Sequence, residues 1–128
     1  NPDTPGALSV APVLTAVDVL ELQRAVHSVR VDDAIVEYLM RIVEHTRTHE
    51  SLALGVSPRG SQALYRAAQA LALAEGRDYA LADDVKRLAV PLFAHRVVIN
   101  SRVALAQRST ETAERILQDI LALIEVPL

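Results

Sequence analysis

The sequence has 128 residues, with 51% hydrophobic and 3% aromatic residues and a formal net charge of −3. A chain of this length ordinarily forms one domain with one core, and an aliphatic, alanine-rich core favours close-packed helices. The acidic balance argues against nucleic-acid binding. The sequence contains no cysteine, which rules out disulfides and thiolate metal sites and is compatible with a cytoplasmic location. No apolar run is long enough to span a membrane.

Three prolines and one glycine mark the start of the chain as a separate segment. They fall within residues 1–14, which predicts an extended lead-in or linker, followed by one helical domain over residues 15–128. The sequence starts at Asn1, and its single methionine, Met40, lies inside a periodic segment. We therefore expect the chain to be part of a longer protein.

Apolar residues recur at helical spacing in five segments. Thr15 and Asp18 form a capping-box pattern before the first segment, while Ser57 and Pro58 mark the start of the third, which Gly76 closes. The predicted helices cover about residues 16–27, 32–47, 58–75, 83–92 and 110–124.

Two apolar stretches between these helices are too short to be helices themselves. Residues 50–56, "ESLALGV", predict a buried connection, and residues 96–100, "RVVIN", are β-branched and predict a short strand or extended segment. The predicted fold class is therefore all-α, a bundle of four to five helices with a short extended segment near residues 96–100.

Histidines and aspartates form patterns that resemble chemical sites. "HTRTH" places His45 and His49 at the i, i+4 spacing of zinc ligands, but it lacks the glutamate of H-E-x-x-H, and a third ligand is missing. Histidines at a helix end also interact favourably with the helix dipole, so we predict no metal ligand. Two aspartate pairs suit helix N-termini better than catalysis: Asp32 with Asp33, and Asp83 with Asp84.

The segment "GVSPR" places a cation, Arg59, in the first turn of a predicted helix. It departs from the nucleophile motif G-x-S-x-G because Arg59 replaces the last glycine, so Ser57 is better explained as a helix cap. A cation in the first turn of a helix opposes the helix dipole. A helix N-terminus with an added guanidinium nevertheless makes a good phosphate site. The alternative is that the arginine stem packs on the bundle and its head is solvated.

The sequence lacks the loop that binds nucleotide phosphates in many ATPases. No G-x-x-x-x-G-K-[ST] motif is present, and the single lysine, Lys86, follows an aspartate pair rather than a glycine-rich loop. We therefore expect no nucleotide hydrolysis by this chain alone.

Residues 54–97 contain several short blocks in a distinctive order. They resemble the C-terminal lid of MoxR-type AAA+ ATPases, whose pattern runs G-x-S-P-R, A-x-A-x-x-x-G-R-D-Y, D-D-V and H-R. The similarity extends over most of residues 15–127. One departure is Leu81-Ala82, where the family usually has Thr-Pro, so the fourth helix loses a hydroxyl cap. The matching blocks are Gly55 to Arg59, Ala70 to Tyr79, Asp83 to Val85, and His95-Arg96.

This resemblance implies a specific role for Arg59 as the sensor-two arginine, a catalytic residue that reaches the nucleotide phosphates held by a core domain. Ser57, Pro58 and Gly60 would complete the nucleotide-binding segment. The resemblance further implies a full-length parent that binds ATP and Mg²⁺, assembles with neighbouring subunits into a hexameric ring, and matures a client protein or inserts a metal cofactor. The alternative is a free-standing helical interaction module that binds a partner helix through an apolar face.

Overall fold

The computed structural model of the chain describes residues 9–104 and 109–128. The all-α prediction is confirmed, because helices dominate this part of the chain and the strands are very short. In chain order the elements are α1 Ala16–His27, α2 Asp33–Thr48, β1 Leu52–Leu54, α3 Pro58–Ala74, α4 Ala82–Phe93, β2 Val98–Ile99, α5 Ser101–Ala104 and α6 Ser109–Leu123.

The helix boundaries follow local capping signals. Thr15 Oγ1 accepts a hydrogen bond from the Asp18 N–H at 3.1 Å, and Asp18 Oδ2 accepts one from the Thr15 N–H at 2.9 Å, which completes the predicted capping box of α1. At the end of α3, Gly76 has a φ of 80°. This left-handed conformation favours glycine and lets the Arg77 N–H reach the Ala72 carbonyl at 2.9 Å.

The hydrophobic core lies between α2, α3, α4 and α6. Tyr38 and Ile42 of α2 are buried with Leu64 of α3, Phe93 of α4 and Ile120 of α6. By contrast, α1 packs against α3 but contains no buried residue. The core is therefore formed mainly by α2, α3, α4 and α6.

A two-stranded antiparallel sheet joins the segment before α3 to the segment after α4. Leu52 of β1 lies opposite Ile99 of β2, and the Asn100 N–H donates to the Ser51 carbonyl at 2.8 Å. The extended segment predicted near residues 96–100 is confirmed. The prediction of a buried connection at residues 50–56 needs correction, because this segment forms β1 and leaves Leu54 exposed.

The lead-in predicted at residues 1–14 is described only from residue 9 onward. Residues 9–14 lie outside helices and strands, and α1 begins directly after Thr15. Residues 1–8 of the predicted linker lie outside the described residues. The four-residue helix α5 was not predicted, since it is too short to show a periodic pattern.

Candidate functional site

The segment from Ser57 to Gly60 forms the first turn of α3. Ser57 is the N-cap, and its Oγ accepts a hydrogen bond from the Gly60 N–H at 3.1 Å. Pro58 occupies the first helical position, where its missing N–H costs nothing. The predicted cap and the first-turn position of Arg59 are therefore both present.

The Arg59 side chain is exposed beside an apolar groove between α2 and α3. The groove has a volume of about 610 Å³. Val36, Leu39 and Met40 contribute its α2 side, and Arg59 shares the α3 side with Gln62, Ala63, Tyr65 and Arg66. The cation therefore borders a concave, largely apolar surface.

The first turn of α3 is electropositive. It contains no acidic residue, so the partial positive charge of the helix end is not offset within that turn. Within the described ranges, Arg59 has neither an ion pair nor a hydrogen bond for its guanidinium. A second cation is close, because a Cβ placed on Gly60 would lie 3.4 Å from the Arg96 Cδ. This end of α3 is consequently suited to an anion.

The loop before α3 is fixed to the end of α2 through Val56. The Val56 N–H donates to Thr46 Oγ1 at 3.0 Å, and the Val56 carbonyl accepts from Arg47 Nε at 2.9 Å. Neither Thr46 nor Arg47 was predicted as a site residue. Their partner lies about ten positions further along the chain, and no local pattern marks such a contact.

The two candidate histidines use their ring nitrogens in local contacts. His45 Nδ1 lies 2.8 Å from the Arg41 carbonyl, and His49 Nδ1 accepts from the Ser51 N–H at 3.1 Å. Within residues 9–104 and 109–128, no three histidine, aspartate or glutamate side chains lie close enough together to hold a metal ion. These contacts support the helix-end interpretation of both histidines.

The aspartate pairs differ from each other. Asp32 is the N-cap of α2 without a side-chain capping bond. Asp84 is 1% exposed and accepts two hydrogen bonds from Arg77, each at 2.8 Å, and one from the Leu81 N–H at 2.7 Å. Asp84 therefore does more than complement a helix dipole, since it forms a buried ion pair that joins the start of α4 to the end of α3.

The charge state of Asp84 follows from this environment. Burial acts to raise the pKa of the carboxyl group, but the hydrogen bonds from Arg77 and Leu81 and the charge of Arg77 outweigh burial, so the pKa lies below its usual value. The hydrogen bonds to Asp84 and, secondarily, to Glu75 raise the pKa of Arg77. Both partners are therefore held in their charged forms.

Residues 44–120 match the family described as AAA lid domain. The chain belongs to this family. It is 34% identical over 118 residues to the chaperone MoxR1 of Mycobacterium tuberculosis, a match that covers 84% of the lid, and 50% identical over 46 residues, 36% of the lid, to the protein MoxR of Paracoccus denitrificans. Together these findings identify a MoxR-type AAA+ lid.

The lid is also similar to two further proteins. An uncharacterized protein of Bacillus subtilis, YeaC, is 44% identical over 119 residues, which is 93% of the lid. A crystal structure of a Cytophaga hutchinsonii protein, provisionally named an ATPase, superposes with a TM-score of 0.79 at 27% identity over 87% of the lid.

The lid is much shorter than the proteins it matches. It spans 36% of YeaC, 31% of MoxR1, 14% of the Paracoccus protein and 36% of the Cytophaga chain. In the part of the chain that the structure describes, no helix is long and apolar enough to cross a membrane.

Proposed function

We propose that the lid completes the nucleotide site of a MoxR-type ATPase and that Arg59 is its sensor-two arginine. The observation that carries this proposal is the exposed Arg59 at the electropositive start of α3, without a partner among the described residues, next to a groove. A guanidinium in that position can form two hydrogen bonds to a phosphate group.

The neighbouring residues shape this site more than they donate to it. Pro58 has no N–H, and the N–H of Gly60 already donates to Ser57. Among the first three helical residues, the backbone N–H of Arg59 is therefore the one that remains to donate to an anion. In this proposal Ser57, Pro58 and Gly60 orient the turn, while the Arg59 side chain and N–H contact phosphate.

The remaining parts of the nucleotide site would come from a core domain. ATP and Mg²⁺ would be held mainly there, since the lid sequence lacks a phosphate-binding loop. When bound, ATP supplies the phosphoryl group, and Arg59 would stabilise the negative charge that develops on it during transfer. Loss of that contact would allow the lid to move as a hinged unit, which makes the lid sensitive to nucleotide state.

The wider role is part of the same proposal. One relative is named a chaperone, which supports ATP-driven maturation of a client protein, or insertion of a metal cofactor, by a hexameric ring. The absence of cysteine is compatible with the reducing cytoplasm.

The test compares ATP hydrolysis by the complete ATPase carrying Arg59→Ala with hydrolysis by the wild type. We expect turnover to fall by about a hundredfold to a thousandfold, the range seen when one group that stabilises transition-state charge is removed. Arg59→Lys should recover only part of the rate, because lysine cannot form the paired hydrogen bonds. Arg41→Ala removes an exposed arginine of α2 and serves as the control. Wild-type turnover by Arg59→Ala would refute the sensor role.

A second candidate function is a helical interaction module that does not use a nucleotide. One observation favours it, namely the exposure of seven large apolar side chains at the start of the described chain. We call this set the N-terminal apolar surface, and it comprises Val10, Val13, Leu14, Val17, Val19, Leu20 and Leu22. Retention of partner binding by an Arg59→Ala variant with unchanged ATP turnover would favour this alternative.

A further inference from the structure

We infer that Thr46, assisted by Arg47, is a positioning residue for Arg59, an inference that rests on the proposed sensor role. Thr46 lies in the last turn of α2 and is fully buried. Its hydroxyl donates to the Val43 carbonyl at 2.6 Å and accepts from the Val56 N–H at 3.0 Å. Because the hydroxyl hydrogen is directed to Val43, a lone pair of the oxygen faces the loop before α3.

Thr46 binds the N–H of Val56, and Arg47 binds the carbonyl group of Val56. The Arg47 Nε donates to the Val56 carbonyl at 2.9 Å. Val56 is 1% exposed and immediately precedes the N-cap Ser57. Both backbone groups of Val56 are thus bound to consecutive residues of α2, which fixes the direction in which the chain enters α3.

Two glycines make this close approach possible. A Cβ on Gly55 would lie 2.6 Å from backbone atoms of both Thr46 and Arg47, a distance at which the backbones would have to separate. A Cβ on Gly60 would lie 2.6 Å from Val56 Cγ1. Val56 is therefore packed between the end of α2 and the first turn of α3, and Arg59 extends from that same turn.

The contacts of Val56 affect the position of Arg59 and not the choice of ligand. Arg59 and the α2 residues Val36 and Met40 line the same groove. The register between the two helices at this point is set by the Thr46 and Arg47 contacts with Val56. A displacement of about 1 Å can reduce catalysis by about a hundredfold, so loosening this contact should impair Arg59 without altering its chemistry.

The experiment uses Thr46→Val and Thr46→Ser in the complete ATPase. Valine has nearly the shape of threonine but cannot accept the Val56 N–H, whereas serine keeps the hydroxyl group. We expect Thr46→Val to lower kcat by about tenfold, within the range for a misplaced catalytic group, and Thr46→Ser to retain most of the activity. Ile120→Val, a conservative change in the core of α6, controls for a general loss of stability.

A double-mutant cycle separates positioning from other effects. If Thr46 acts through Arg59, then Thr46→Val should cause no further loss of kcat in an Arg59→Ala background. Losses that multiply, or a Thr46→Val variant as active as Ile120→Val, would overturn the positioning role even when Arg59→Ala alone is impaired. Wild-type turnover by Arg59→Ala would instead refute the sensor role on which the inference rests.

Discussion

Arg77 and Asp84 form the most completely buried ion pair among the described residues. The side chain of Asp84 is 1% exposed and that of Arg77 is 15% exposed, and two hydrogen bonds of 2.8 Å join them. Removing one member of such a pair leaves an uncompensated charge in a largely buried site. The pair therefore matters for folding, whereas the Arg77 contact with the half-exposed Glu75 should contribute little.

We predict that Asp84→Asn lowers the free energy of unfolding by about 3 kcal/mol, the lower end of the range for breaking a buried ion pair. Urea unfolding at pH 7, followed by circular dichroism, would measure the change. Glu75→Gln is the matched control, and its effect should be small because that carboxylate is exposed and screened by solvent. Equal effects of the two substitutions would contradict the assignment.

The same pair predicts a dependence of stability on pH. Because the pKa of Asp84 is lower in the folded protein than in the unfolded chain, its stabilising contribution is complete above the unfolded value of about 3.9. The contribution is lost as the pH falls from there through the folded pKa. The difference in unfolding free energy between wild type and Asp84→Asn should therefore shrink below about pH 4. Urea titrations at pH 7 and pH 3 would detect this, and a constant difference would contradict it.

Unlike Asp84, Tyr38 buries a polar group, its hydroxyl, that no hydrogen bond among the described residues compensates. Its ring is fully buried in the core, and its hydroxyl has no hydrogen-bond partner in the part of the chain that the structure describes. Burial, and secondarily the charge of Asp83, raise the pKa of this hydroxyl. The phenol is therefore neutral and its desolvation is not offset.

We predict that Tyr38→Phe leaves the free energy of unfolding unchanged or raises it by about 1 kcal/mol, since the substitution removes an unpaired polar atom and keeps the ring. Thermal and urea unfolding would measure the effect. Tyr65→Phe, at a partly exposed position, controls for the loss of a hydroxyl. A marked loss of stability in Tyr38→Phe alone would contradict the interpretation that this hydroxyl is uncompensated.

At the scale of helices and strands, the sequence predicts the features that are formed by residues close together in the chain. The Thr15 and Asp18 capping box and the Ser57 cap depend on spacings of three residues, so they are recognisable without a structure. Contacts between segments that are distant in the sequence cannot be recognised without a structure. The pairing of Leu52 with Ile99 and the bond from Val56 to Thr46 depend on how the helices pack, and neither the strand β1 nor the Thr46 contact was predicted.

At the start of α4, Leu81 replaces the threonine that is usual in the family, and the structure partly compensates for the lost hydroxyl cap. Leu81 occupies the N-cap position, and its apolar side chain cannot accept a hydrogen bond from the first turn, although its backbone carbonyl accepts from the Asp84 N–H at 3.0 Å. Half of a capping box nevertheless remains, because the Asp84 carboxylate accepts from the Leu81 N–H at 2.7 Å. The helix therefore begins at Ala82 despite the missing hydroxyl group.

We predict that Leu81→Thr raises the free energy of unfolding by about 0.5 to 1 kcal/mol, because the threonine hydroxyl would add a side-chain acceptor for the N–H groups of the first turn of α4. The leucine side chain is 42% exposed, so its replacement removes little buried surface. Urea unfolding would measure the gain, and Leu81→Ala, which adds no hydroxyl group, is the control. Equal stabilities of the threonine and alanine variants would show that no cap forms.

At the scale of the whole molecule, apolar surface is distributed unevenly. The four long helices around the core bury their apolar residues, whereas α1 buries none and carries most of the N-terminal apolar surface. Exposed apolar side chains in such number within one segment are typical of a segment that binds another protein. The lid spans only about a third of the length of YeaC and MoxR1, so the occupant we propose for this surface is the core domain.

We predict that Leu20→Glu weakens binding of the lid to a separately produced core domain by at least about tenfold, since a buried leucine side chain contributes about 1.5 to 3 kcal/mol. The Leu20 side chain is 51% exposed in the lid, so the substitution should leave its unfolding free energy nearly unchanged. Isothermal titration calorimetry would measure the binding. Leu123→Glu introduces the same charge at an exposed leucine of α6 and is the control. If both variants bound the core as tightly as the wild type, the N-terminal apolar surface would have a different partner, as the interaction-module alternative requires.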